Sequence, residues 1–156
     1  MYRVITCNTN GIRAAARKGF FAWLAEQNAD VVCIQEIKAK ELQLTDSVFY
    51  PEGYHCYYNE ADRPGYSGTA VFCRRQPDRV ITRLDWEIID TEGRYIQVDY
   101  SGLSVISLYV PSGSSSDAAQ ARKDAFMGPF YDHLATLKRK RRQFIVCADW
   151  NTCHQN

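Results

Sequence analysis

Near its C-terminus the chain reads Phe144-Ile145-Val146-Cys147-Ala148-Asp149-Trp150-Asn151, an apolar run that ends in a carboxylate and a carboxamide two positions apart. On an extended segment, residues two apart point to the same side. Asp149 and Asn151 are therefore expected to reach into one pocket. Aspartate supplies a base or a metal ligand; asparagine supplies a donor and an acceptor without charge. Alone, the pattern is more often that of a capped turn than of a catalytic site. It gains meaning from three other apolar runs that end in similar chemistry. Val4-Ile5-Thr6-Cys7 ends at Asn8, Val31-Val32-Cys33-Ile34-Gln35 ends at Glu36, and Val105-Ile106-Ser107-Leu108 ends at Tyr109. Glutamate, aspartate and asparagine oxygens brought together suit a hard divalent cation of octahedral preference, magnesium or manganese. Such a cation beside a positioned base favours attack of water on a phosphodiester.

These residues are far apart in the chain, so the elements carrying them must bring them together. After the first strand, Gly11 breaks the pattern and a helix begins, with Ile12, Ala16, Phe20, Trp23, Leu24 and Gln27 on one face. Asn28-Ala29-Asp30 ends it and the second strand follows. A strand-helix-strand crossover makes the two strands parallel, so Asn8 and Glu36 fall at the same sheet edge. A second crossover closes the chain. The strand ending at Tyr109 leads through the polar loop 110–116 to a helix capped by Ser116 or Asp117. Gly128-Pro129 is expected to break or kink that helix, with Phe130, Leu134 and Leu137 continuing its apolar stripe. The closing strand is again parallel to its predecessor. Between the two units, 38–48 reads as a short helix or loop. The runs 54–58, 69–74, 79–84, 94–100 and 104–109 read as strands in antiparallel hairpins, the last turn at Ser101-Gly102 being tight. In open α/β sheets, sites form outside the carboxyl ends of strands.

Composition limits the alternatives. At 156 residues, 46% apolar and 24% charged, the chain is an ordinary globular domain with a net charge of only +1. No apolar run is long enough for a membrane span, and Met1-Tyr2-Arg3 leads into a strand rather than a signal peptide. The six cysteines form no Cys-x-x-Cys pair and read as free thiols of a reducing compartment. The cationic run 138–142 reads as a solvated cap on a helix C-terminus.

The segments Thr6-Cys7-Asn8-Thr9-Asn10-Gly11-Ile12-Arg13, Gln35-Glu36-Ile37-Lys38, Gly65-Tyr66-Ser67-Gly68, Glu92-Gly93-Arg94, Tyr109-Val110-Pro111-Ser112-Gly113 and Ala148-Asp149-Trp150-Asn151-Thr152-Cys153-His154 occur in that order. Together they resemble the exonuclease III family, the apurinic/apyrimidinic endonucleases of the endonuclease/exonuclease/phosphatase fold. The resemblance implies a two-sheet α/β sandwich of the DNase I-like type. It implies a nuclease dependent on Mg2+ or Mn2+ that cleaves 5′ to abasic sites, with 3′-exonuclease or 3′-end trimming activity on double-stranded DNA. Residue by residue, it makes Glu36 the metal-binding glutamate and Asn8 the asparagine that orients the metal site through hydrogen bonds. Tyr109 is then the tyrosine near the scissile phosphate, Asp149 the residue that activates water, and Asn151 its partner in transition-state stabilisation. Arg13, Tyr66 and Arg94 match positions near the DNA backbone. The sequence departs from the family where Ala148 replaces a usual glycine and Cys153 a frequent alanine.

The larger departure is length. Family members continue past the equivalent of His154 with a further sheet, two aspartates and a Ser-Asp-His motif. Residues 1–156 are thus expected to be the N-terminal portion of a single domain, inactive alone, with an apolar face uncovered. The expected location is cytoplasmic, nucleoid-associated in a bacterium, with no membrane and no obligate protein partner. Two other functions fit less of the pattern: a phosphoesterase of the same fold acting on inositol phosphates or lipids, and a non-catalytic interaction module.

Overall fold

Alternation along one strand sets up the layers. In Val31–Gln35 every residue is buried, so both faces must meet protein. Val32 and Ile34 pack with Ile12, Leu24 and Phe72 on one side, while Val31 and Cys33 pack with Val71, Cys73, Ile96 and Val98 on the other. A computed structural model describes residues 2–152. Its elements are β1 (Val4–Asn8), α1 (Ile12–Arg17), α2 (Phe20–Glu26), β2 (Val31–Gln35), β3 (His55–Asn59), β4 (Thr69–Cys73), β5 (Arg79–Ile81), α3 (Glu87–Glu92), β6 (Tyr95–Tyr100), β7 (Leu103–Tyr109), α4 (Asp117–Lys138) and β8 (Gln143–Asp149). One sheet has the order β1-β2-β4-β3 and the other β5-β6-β7-β8. The first is covered by α1 and α2 and the second by α3 and α4, with one apolar layer between the sheets. This is the expected two-sheet α/β sandwich.

Each crossover unit lies in its own sheet. β1 pairs parallel with β2 and β7 parallel with β8; every other pairing is antiparallel. The β6–β7 hairpin turns through Ser101-Gly102, Gly102 at φ +75°. β1 and β8 are outer strands on the same flank of the sandwich, and the residues of β8 are at most half-buried.

Several expectations need correction. The first helix is two, because Gly19 sits between them at φ +88°. The break shifts the phase of the second helix, so Phe21 and Leu24 face the sheet and Trp23 is 44% exposed. Segment 38–48 is, as expected, short helix and loop, with 3-10 turns at Glu41–Gln43 and Ser47–Phe49 closed over Leu44 and Phe49. The run 79–84 is strand only to Ile81, and an unforeseen helix, α3, follows. Its signals were acidic residues in the first turn and Gly93 just past its end. Helix α4 does not break at Gly128-Pro129. An internal proline costs about 3 kcal/mol. The flanking Phe126 and Phe130 are both buried and stack on each other, Phe126 also on Trp86. Burying two such rings contributes roughly 3–6 kcal/mol, which outweighs the defect. Ser116 caps this helix, its Oγ accepting from the Ala119 amide at 3.2 Å.

The cationic run is not uniformly solvated. Residues 138–141 are exposed, but Arg142 folds back and donates to the carbonyls of Tyr100 at 2.6 Å and Leu103 at 3.0 Å. Cys7, Cys33, Cys56, Cys73 and Cys147 are free thiols; Cys153 and His154 lie outside the described residues. Among the described residues no helix is long and apolar enough to cross a membrane.

Candidate active site

The parallel pairs end at one edge of the sandwich, and there the strand tips converge. The register Asn8↔Gln35 puts Asn8 beside Glu36, and Tyr109↔Asp149 puts the other two tips side by side. Asn8 spans the gap between the sheets. Its Nδ2 donates to Glu36 Oε1 at 2.8 Å and to Asp149 Oδ2 at 2.7 Å. Its own Oδ1 accepts from the Asn10 amide at 2.8 Å. Both hydrogens of the Asn8 amide are thus spent on carboxylates, and it acts as a tie between them.

Backbone bends aim these side chains. Asn10, Glu36, Lys38, Ser67 and Asn151 all have φ between 45° and 54°. Each such non-glycine residue carries a conformational cost of about 1 kcal/mol or more. Most sit where a strand has just ended and the chain must turn. Gly68 permits the close approach behind Glu36, since a Cβ there would lie 2.6 Å from the Ile37 side chain.

Lys38 completes the first sheet's contribution. Its Nζ lies 2.8 Å from Glu36 Oε2 and 2.5 Å from Asn10 Oδ1. Burial pushes the Glu36 carboxyl up, but Lys38, Asn8 and Tyr109 together hold it below its usual range. The neighbouring phenol moves the other way: burial, and then the Glu36 carboxylate, push Tyr109 well above the ordinary tyrosine value. At neutral pH Tyr109 is a hydroxyl donor facing a carboxylate.

Asn151 is placed differently from the expectation. The segment 149–151 is not extended, because Asn151 is left-handed. Its side-chain Nδ2 donates to the Val110 carbonyl at 2.9 Å, and its backbone amide to Asp149 Oδ1 at 3.1 Å. The Asn151 carbonyl accepts from Lys123 Nζ, a buried lysine of α4. Asn151 therefore clamps the Asp149 loop and keeps one amide hydrogen free.

The three expected DNA contacts separate. Arg13 is exposed on α1, directly after the bend at Asn10-Gly11. Arg94 is 1% exposed and lies behind Tyr109, not on the surface. Its Nη1 donates to the Tyr109 carbonyl at 2.9 Å, its Nε to Glu92 at 2.6 Å and its Nη2 to the Tyr66 hydroxyl at 3.0 Å, while the guanidinium sits 4.6 Å from the Tyr109 ring centre. Tyr66 is half-buried and its hydroxyl also accepts from Arg122 at 3.1 Å. Burial pushes the Tyr66 phenol up, but Arg122 and Arg94 outweigh it and leave the group below the ordinary tyrosine value.

No local pattern signals what stands behind the tips. Buried Gln35 donates through Nε2 to Ser107 Oγ at 3.0 Å, and Ser107 Oγ donates to the Ile34 carbonyl at 3.2 Å. This polar pair crosses the apolar layer between the sheets. Lys38, Lys123 and Arg122 were also missed; a lysine two residues past a strand-end glutamate was the one visible hint.

Among the described residues, no group of three or more His, Cys, Asp or Glu side chains gathers into a metal cage. Two carboxylates, Glu36 and Asp149, do meet across Asn8 and keep spare oxygen lone pairs. That donor set fits a magnesium-type ion, which takes one or two carboxylates and completes its shell with water and phosphate. It is a poor match for zinc, whose sites are built chiefly on histidine and cysteine, and no group of three or more such ligands gathers among the described residues.

A family model described as the Endonuclease/Exonuclease/phosphatase family matches residues 5–156. An exodeoxyribonuclease of Bacillus subtilis is 34% identical, with 98% of this chain and 60% of that protein covered. The DNA repair nuclease APEX1 of Danio rerio is 30% identical, with 98% and 50% covered. The chain spans about half the length of these curated relatives. The solved structure of an AP endonuclease from Archaeoglobus fulgidus superposes with a TM-score of 0.82 at 28% identity, over 97% of this chain and 58% of that one.

Proposed function

The chain belongs to the endonuclease/exonuclease/phosphatase family, and on that premise we propose that its strand-tip cluster is the phosphodiester-hydrolysing centre of a DNA repair nuclease that cleaves 5′ to abasic sites and trims 3′ ends. The observation that carries the reading is the double tie from Asn8 to Glu36 and Asp149. It brings a cation-binding carboxylate and a base within one substrate's reach although they stand on different sheets. The relatives named as an exodeoxyribonuclease and a DNA repair nuclease support the substrate class.

Glu36 would hold a magnesium or manganese ion, which when bound supplies Lewis-acid polarisation of the phosphate. The remaining work falls to the chain's own groups. Asp149 Oδ1 and Oδ2 accept hydrogen bonds from Asn151 and Asn8 and keep lone pairs with which to orient a water and take its proton. The Tyr109 hydroxyl stays protonated and donates toward the non-bridging phosphate oxygens, where charge develops. The free amide hydrogen of Asn151 serves the same end. Arg94 fixes the Tyr109 ring from behind, and Arg13 faces solvent where a DNA backbone phosphate would lie.

The test is incision of a duplex carrying one abasic site, in magnesium, by the full-length protein. Glu36→Gln and Asp149→Asn are each expected to lower the rate by ~10³-fold or more. Turnover near the wild-type rate from either variant would overturn the assignment. Equal cleavage in excess chelator would overturn the metal dependence.

A further inference from the structure

The strand starts, at the end of the sandwich away from Glu36 and Asp149, enclose a cavity of about 280 Å³ lined by Tyr2, Asp30, Arg74, Arg75, Tyr100 and Leu103 among others. Its floor is aromatic. Tyr100 is 5% exposed, and the ring of Tyr2, 46% exposed, meets it edge-on with centroids 6.4 Å apart. Its walls are cationic. The Arg75 guanidinium lies 4.8 Å from the Tyr100 ring centre and makes no hydrogen bond or ion pair among the described residues. Arg74 is held in place by the Ala29 carbonyl at 3.0 Å and Asn28 Oδ1 at 3.1 Å. The one carboxylate in the lining, Asp30, already accepts from the Arg3 amide at 2.6 Å. At the rim, Arg142 grips the carbonyls of Tyr100 and Leu103. The exposed cations 138–141 immediately precede this anchored arginine in the chain. In a chain of net charge +1, this lining sets two arginines against one aspartate.

We propose that this end is a second nucleic-acid surface, one that takes a single-stranded polynucleotide. An exposed tyrosine ring over a concave, arginine-walled floor offers a stacking face for an unpaired base and cations for the flanking phosphates. A duplex keeps its bases stacked inside and cannot present a ring to Tyr2. An acidic peptide would use the cations but not the aromatic floor. Arg74 and Arg75 grip the phosphates next to the stacked base, and the turn at 138–141 receives the strand as it leaves. Neither carboxylate of the catalytic cluster nor any metal ion takes part, so the surface works whether or not the proposed hydrolysis is correct.

The experiment is fluorescence anisotropy of a labelled oligothymidylate with the protein in chelator, at a series of salt concentrations. Tyr2→Ala and Arg75→Glu are each expected to weaken binding about tenfold. The exposed pair Lys140→Glu with Arg141→Glu is expected to flatten the plot of log affinity against log salt by at least about 1. Amide NMR shifts on adding the oligonucleotide are expected at Ser101 and Gly102. Circular dichroism of each variant confirms the fold. Wild-type affinity in both Tyr2→Ala and Arg75→Glu would overturn the proposal. So would shifts confined to Asn8 and Asn10, which would place the strand at the catalytic end.

Discussion

Asn8→Asp keeps the shape of the side chain that ties the two sheets together and inverts its chemistry. Both amide donors disappear, and a third carboxylate takes their place within hydrogen-bond distance of Glu36 Oε1 and Asp149 Oδ2. A hydrogen bond to a charged acceptor contributes about 1.5–3 kcal/mol; Asn8 is exposed, so the lower value applies and the pair is worth about 3 kcal/mol. Repulsion adds roughly 1 kcal/mol for each neighbouring carboxylate, the water-screened value at ~4 Å. The total is about 5 kcal/mol at pH 7. Proton uptake does not relieve it at pH 7, because protonating a carboxyl roughly three pH units above its ordinary value costs about 4 kcal/mol and the protonated group still lacks one donor, about 1.5 kcal/mol more; about 3.5 kcal/mol of the total falls on the charged form alone. The introduced carboxyl therefore has a folded-state value raised above its unfolded one. Its best stability lies below the unfolded value and is lost as pH rises through the folded one. In acid the protonated group also regains one donor. Urea denaturation is expected to show a deficit of about 5 kcal/mol at pH 7 that falls by half or more near pH 4. Asn8→Ala, which removes the donors without adding charge, is expected to lose about 3 kcal/mol at pH 7. An Asn8→Asp protein as stable as wild type at pH 7, or a deficit that acid leaves unchanged, would refute the tie.

Two further outcomes follow from the arginines behind Tyr109. Arg94→Met leaves the Tyr109 carbonyl and one Glu92 oxygen without their donor and takes one of two donors from the Tyr66 hydroxyl; since Glu92 and Tyr66 both keep Arg122, the loss in denaturation is expected near the low end of the buried-pair range, about 3 kcal/mol. Arg94→Lys is expected to recover little, because an ammonium cannot reproduce the planar fork, and a loss under ~1 kcal/mol in Arg94→Met would contradict the strut. For Tyr66, a carbon-13 tyrosine titration is expected to show a midpoint below 10, moving upward in Arg122→Gln. Because the folded value is depressed, this group's stabilisation is present above the unfolded value and lost as pH falls through the folded one; a midpoint indifferent to Arg122 would sink that account.

What could be read from the sequence was the part governed by local pattern. Buried strands announce themselves as apolar runs, and the crossover rule fixes which of their ends lie together, so Asn8, Glu36, Tyr109 and Asp149 could be grouped before any coordinates. The failures share a cause, which is packing that outvotes a local signal. Pro129 continues a helix because Phe126 and Phe130 are buried on either side of it. Trp23 yields its core place to Phe21 because one glycine rotates the helix that carries both. Asn151 leaves the extended path since the chain turns to satisfy Val110. Arg94 reads as a surface cation in a motif, yet three acceptors contributed by Glu92, Tyr109 and Tyr66 draw it inside. None of those partners lies within reach of a sequence-periodicity argument, because they are brought together only when the second sheet closes.

The contact between Gln35 and Ser107 bears on how finely the cluster can be set. Two apolar faces stacked on each other have no preferred offset; they can slip by a fraction of an ångström at little cost, since burial is non-directional. A centre whose halves ride on separate sheets would inherit that slip directly as error in carboxylate spacing, and small misplacements of reacting groups are costly in rate. Directional bonds from Gln35 Nε2 to Ser107 Oγ and from Ser107 Oγ to the Ile34 carbonyl act as an indexing pin one residue behind Glu36. The accuracy of a solvent-facing centre is thereby lodged in a serine that no substrate can touch.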